Sequence, residues 1–233
     1  MEPKTEQKHL EELATILSEV GAAGIWRPVY DHRGRRLAGG VGDPADGLAN
    51  SLPGALFKGK RVVDIGCNFG TFTFAAAKKG ALQVLGVDID RRIIRGCQIL
   101  KSLFRVENVD FLAADLRSLG GRPPFDLGMM IDFIGKEVIR SGFLPACLDV
   151  IEALSRRQML FSVRPVYSIA KHFSGGRKKL LELYDPDTVG PRQFFLLDHL
   201  ENRFQNRWQM RVISAAGEDF NASKQTILFE RRL

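Results

Sequence analysis

The sequence predicts an α/β fold, a mostly parallel sheet with helices on both faces that closes in an antiparallel hairpin. Three observations carry this. From Lys60 onward, short apolar runs alternate with stretches of helical period, which is the pattern of strand–helix units. The run RVVDIGCNFG at 61–70 passes from a strand into a Gly-rich turn, and the following TFTFAAAKKG reads as a helix. The chain ends in two strand-like segments, 209–214 and 225–230, separated by the polar stretch 215–224.

The elements follow in order. Residues 4–20 place Leu10, Leu13, Leu17 and Val20 at helical spacing, and Gly21 suits a C-terminal stop. Residues 21–58 are rich in Gly and Pro and read as irregular or short-stranded structure, with Trp26, Arg27 and Tyr30 among them. Strands are expected at 61–65, 83–87, 109–112, 126–131 and 159–163, and helices near 70–79, 91–104, 136–155 and 192–205. Segment 164–191 is an insertion between the fifth strand and the last helix. The organisation expected is an N-terminal helix and cap segment, 1–56, and a main domain, 57–233, with 164–191 as a lid.

Composition narrows the class. A chain of 233 residues suits one large domain or one domain with small additions. No apolar run approaches the ~20 residues of a membrane helix, and residues 1–20 lack the apolar block of a secretory signal. A cytoplasmic protein without membrane partners is expected. Cys67, Cys97 and Cys147 form no C-x-x-C pair, and His9, His32, His172 and His199 are scattered. Neither a disulfide framework nor a metal site is expected. The net charge of +7 permits phosphate-rich partners, but the bases are spread along the chain rather than gathered in one run.

The chemistry concentrates at strand ends. Asp64 lies at the end of the first strand, where a carboxylate suits a cationic amine and repels a pyrophosphate. Gly66 and Gly70 permit close backbone approach by a ligand. Asp88 ends the second strand, placed to accept hydrogen bonds from ribose hydroxyls. Asp115 follows the third, where its carboxylate and the N–H groups of Ala114 and Leu116 could read an adenine edge. The fourth strand opens with Phe125-Asp126 and delivers Asp132 to the carboxyl edge of the sheet, where ligands of open α/β sheets bind. Asp90 is the expected cap of the 91–104 helix. The G-x-G-x-x-G fingerprint of dinucleotide enzymes fails at Asn68 and Thr71, which argues against a dehydrogenase.

These motifs resemble class I S-adenosylmethionine-dependent methyltransferases. Asp64-Ile-Gly66-Cys67-Asn68-Phe-Gly70 resembles their first motif and Gly86-Val-Asp88 the second. Ala114-Asp115 resembles the third, and Phe125-Asp126-Leu with Asp132 the fourth. The resemblance covers about residues 57–163. It implies a seven-stranded Rossmann-like methyltransferase sheet whose last strand is antiparallel. It also implies a cofactor set of Asp64, Gly66, Cys67, Asn68, Gly70, Asp88, Ile89, Ala114, Asp115 and Asp132. The 64–70 turn would hold the methionine end, Asp88 both ribose hydroxyls and Asp115 the adenine amino group. One position departs from the family: Asn68 stands at its middle glycine. Asn tolerates the left-handed conformation best among other residues, so Asn68 is expected there.

The acceptor side is less specific. Asp132 is a candidate base, cofactor contact or cap, and Tyr167 and His172 in the insertion are candidate acceptor contacts. Lys136 stands near a position where many relatives carry His, so their His-based mechanisms do not transfer. The Asn/Asp-Pro-Pro-aromatic motif of amino-group DNA methylases is absent. The leading expectation is a small-molecule acceptor. An RNA acceptor contacted through Arg177, Lys178 and Lys179, and a non-catalytic cofactor-binding module, are the alternatives.

Overall fold

The computed structural model describes residues 3–41, 48–215 and 223–232. Most of the expected stretch 215–224 therefore lies outside the described residues. Seven strands, at 208–215, 225–231, 155–163, 125–131, 61–65, 83–88 and 109–113, hydrogen-bond side by side in that order as one mixed sheet. The chain divides into two compact units, Met1–Leu119 and Gly120–Leu233.

In the first unit, helix α1 spans Pro3–Val20 and a small antiparallel pair follows, β1 (Val29–Tyr30) and β2 (Arg36–Ala38). A short helix α2 (Leu48–Ser51) leads to the units β3 (Arg61–Ile65), α3 (Thr71–Lys78), β4 (Gln83–Asp88), α4 (Arg91–Phe104) and β5 (Val109–Ala113). The three strands are parallel and in register, with Ile65 opposite Val87 and Asp88 opposite Ala113. Strand β3 is a nearly continuous buried run, Val62 to Ile65, because both its faces are covered. Helix α1 buries Leu13, Ile16 and Leu17 against Ile93, Cys97 and Leu100 of α4. Phe69 joins this cluster because α4 carries Gly96: a Cβ there would lie 2.7 Å from the Phe69 ring. The packing of α1 on α4 thus reaches the turn after β3.

In the second unit, β6 (Phe125–Ile131) is followed by α5 (Lys136–Arg140), α6 (Leu144–Leu154) and β7 (Ser155–Val163). The single helix expected at 136–155 is two helices. Gly142, at φ 73°, lets the Phe143 N–H reach back to the Val138 carbonyl at 3.1 Å, and Pro145 opens the next helix. Strand β7 starts four residues earlier than expected, because α6 runs into it without a loop. The expected hairpin is present as β10 (Trp208–Ala215) and β11 (Gln225–Arg231), with β11 antiparallel to β7. Phe161, Phe204 and Phe229 pack ring to ring beneath it, 5.1–6.3 Å between centroids.

The insertion is built rather than irregular. It holds β8 (Val166–Ser168), α7 (Ile169–His172) and α8 (Gly176–Leu181), and β8 pairs with β9 (Gln193–Phe195). The helix expected at 192–205 therefore begins later, as α9 (Leu196–Phe204). Phe173, Leu180, Tyr184 and Phe194 are buried, and the Tyr184 hydroxyl donates to the Ile139 carbonyl at 2.5 Å. The polar composition of 164–191 hid this apolar minority.

The α1–α4 seam gives a stability prediction. Leu13→Ala removes a fully buried side chain and should destabilise the protein by ~2–5 kcal/mol. Urea denaturation should show a lower midpoint at unchanged slope.

Candidate functional site

The site is built on the turn that joins β3 to α3. Three of its residues are left-handed, Gly66 (φ 73°), Asn68 (φ 47°) and Gly70 (φ 79°). At Gly70 a side chain would also collide, since a Cβ would lie 2.9 Å from the Phe74 ring. Asn68 takes the conformation its residue type allows. The turn is tied to β4 by the N–H groups of Gly66 and Cys67, which both donate to the Val87 carbonyl, at 2.8 and 3.0 Å. The Asn68 N–H donates to the Asp88 carboxylate at 3.0 Å.

Two acids stand beside this turn, Asp64 buried and Asp88 half-buried. Asp64 is 2 % exposed and accepts from the Thr73 hydroxyl at 2.6 Å. Burial pushes its carboxyl up to about 6; the Thr73 hydrogen bond opposes the rise and the charge of Asp88 adds to it. Asp88 is also raised, by burial first, against hydrogen bonds from the Asp90 and Asn68 N–H groups. Neither acid has a Lys, Arg or His partner among the described residues. A buried carboxylate beside a half-buried one, both without a counter-ion, favours a nearby positive charge. Beside Asp88, Ile89 is 71 % exposed and offers an apolar surface at the strand end. Asp90 caps α4 as expected, accepting from the Arg92 N–H at 2.8 Å.

Asp115 lies two residues beyond β5 and is engaged by Arg117, at 2.5 Å, which holds its carboxyl down at about 2. The Ala114 N–H donates to the Asp88 carbonyl at 2.9 Å. That bond follows from β5 pairing in register with β4 to its last residue.

In the second unit, Asp132 is left-handed at φ 57°. Its carboxylate accepts from Ser162 at 3.3 Å and pairs with Lys224. Sequence reasoning missed Lys224, which is 92 residues away in a polar stretch. Tyr167 and His172 are neighbours, ring centroids 5.5 Å apart. His172 Nδ1 contacts the Ser168 carbonyl at 3.0 Å, and burial lowers its pKa against that contact. Sequence reasoning also missed Thr73 and the backbone of Gly24 and Trp26, which meets the Asn68 side chain.

Among the described residues no group of His, Cys, Asp and Glu is placed to hold a metal, and no helix is long and apolar enough to cross a membrane. The first unit also contains a cavity of ≈ 1090 Å³ along α3, with Arg27, Tyr30, Phe72, Phe74 and Lys78 in its walls. None of Asp64, Asp88 and Asp115 lines it.

Several solved structures share this architecture. The N-terminal domain of EvdMO1, crystallised in the presence of SAH and D-fucose, gives a TM-score of 0.65 at 17% identity, covering 99% of this chain and 97% of that one. Magnesium protoporphyrin IX methyltransferase from Synechocystis PCC 6803, with bound SAH, gives 0.57 at 20% identity, covering 81% and 83%. No curated protein matches by sequence. The family profile described as "Methyltransferase domain" matches residues 56–189, more than half of the chain. With that match added to the turn, the acids and the strand order, the chain belongs to the methyltransferase-domain family.

Proposed function

We propose that the protein binds S-adenosylmethionine through the 64–70 turn and Asp88 and transfers its methyl group to a small-molecule acceptor. The observation that carries the reading is the buried carboxylate of Asp64 beside the half-buried one of Asp88, neither with a counter-ion among the described residues. The cofactor supplies an already activated methyl group on a sulfonium centre, and its amine is a second cation. Asp64 offsets that charge near the turn. Asp88 has one hydrogen bond from the backbone on each oxygen, Asn68 on Oδ2 and Asp90 on Oδ1. Each oxygen keeps a further acceptor site, which suits the two ribose hydroxyls. Ile89 packs on the adenine, and Asp115 exchanges part of its Arg117 contact for the adenine amino group. Gly66, Cys67 and Gly70 admit the ligand close to the backbone.

On the acceptor side, Asp132 is held by Lys224 and Ser162. A carboxylate fixed in this way suits orientation more than proton removal. His172 is the better base. With Nδ1–H donated to Ser168, Nε2 keeps its lone pair, and the lowered pKa keeps the ring neutral near neutral pH. Tyr167 is the neighbouring contact, and 164–191 serves as a cover for the acceptor. The magnesium protoporphyrin IX and D-fucose named for the similar structures favour a small molecule over RNA.

Asp88→Ala should weaken S-adenosylhomocysteine binding at least about tenfold, since each charge-assisted bond lost is worth ~1.5–3 kcal/mol. Calorimetric titration measures this, and wild-type affinity in the variant would refute the assignment.

A second outcome follows from Asp64. Folding favours its neutral form, because its folded pKa is raised to about 6. This contribution is present at low pH and lost as pH rises through about 6. A bound amine favours the charged form, so binding should release protons near that pH. Affinity should fall between about pH 7 and about pH 5, and Asp64→Asn should flatten the dependence. Titrations in buffers of different ionisation enthalpy measure the protons released.

A further inference from the structure

Asn68 does more than tolerate a glycine's conformation. Its side chain uses both ends of the amide on one distant segment. Nδ2 donates to the Gly24 carbonyl at 2.8 Å, and Oδ1 accepts from the Trp26 N–H at 3.0 Å. Its own N–H lies on Asp88. A single residue therefore ties the 24–26 backbone, the turn and the ribose-binding acid together. Glycine at this position would keep the turn and lose the tie.

The segment is also anchored on either side of Trp26. Ile25 is buried in the α1–α4 cluster, and its carbonyl accepts from the Val41 N–H at 2.9 Å. Arg27 is buried, with its guanidinium 5.5 Å from the centre of the Phe72 ring on the first turn of α3. Between these inward residues Trp26 is left 36 % exposed. With its backbone N–H bound to Asn68 of the turn, Trp26 carries its indole within reach of a ligand seated there, and such a ligand would cover part of the exposed ring.

We propose that Asn68 is a positioning residue that straps residues 24–26 onto the cofactor turn, and that the strap holds Trp26 as a wall over the bound cofactor. This rests on the cofactor reading above. The strap narrows the site on the side that a glycine would leave open. It makes the N-terminal segment part of the binding surface, although that segment lies outside the matched residues 56–189.

The test is a double-mutant cycle on the full chain, with S-adenosylhomocysteine as probe and calorimetry as readout. Asn68→Gly and Trp26→Ala should each weaken binding about tenfold, and the double variant should be no worse than about the larger single effect. Trp26 fluorescence should shift to the blue on binding in the wild type and not in Asn68→Gly. The other tryptophan, Trp208, is 1 % exposed and supplies a constant background. Amide exchange at residues 22–27 should speed up in Asn68→Gly while that of β3 stays slow. Circular dichroism checks the fold, and Trp26→Ala alters an exposed ring whose loss leaves the core intact. Wild-type affinity in Asn68→Gly, or singles whose losses add in full, would overturn the strap while leaving the cofactor reading in place. A wild type that does not bind the probe would overturn both.

Discussion

The hydrogen bond from the Asn68 N–H to the Asp88 carboxylate is the constraint on which the site depends. It is available only because three left-handed residues turn the backbone after β3 toward the end of β4. Gly66 and Gly70 are cheap in that conformation. Asn68 is the one residue that accepts a modest backbone cost, and its side chain returns it through Gly24 and Trp26. The same bond occupies one oxygen of Asp88 and fixes the direction of the remaining acceptor sites. Packing supports it from behind: Leu13 and Gly96 make the space into which Phe69 closes.

The electrostatics run against stability in the free protein. Asp64 is buried and Asp88 half-buried, they lie near each other, and both are raised in pKa by the loss of water. A core optimised for folding would pair them or replace them. On the proposed reading, acids without a counter-ion among the described residues favour a ligand that brings its own positive charge and disfavour pyrophosphate. Asp115 follows the opposite logic, since Arg117 already neutralises it.

Much of the fold was legible. The strand at 61–65 and the helix at 91–104 stand where the apolar periodicity puts them, because each is a regular element with a clear stop. The break at Gly142 had a local signal, Gly142 with Pro145 three residues on, outweighed by the helical period on either side. The insertion was harder. Its core is a minority of aromatics among bases, and the pairing of Tyr167 with Phe194 spans a distance that periodicity does not report. Asp64, Asp88 and Asp115 were legible as candidates because each stands within two residues of a strand's end. The contacts of Asn68 with Gly24 and Trp26, and of Asp132 with Lys224, join residues 42 to 92 positions apart. Such contacts follow from tertiary packing, and no local pattern encodes them.

The central claim is that the unpaired carboxylates at the ends of β3 and β4 receive the cofactor. The most direct measurement is a crystal structure of the protein with S-adenosylhomocysteine. The account predicts the ribose hydroxyls on the Asp88 carboxylate, the amine toward Asp64, and the Asn68–Asp88 bond intact. A ligand seated in the cavity along α3, with Asp88 untouched, would contradict it.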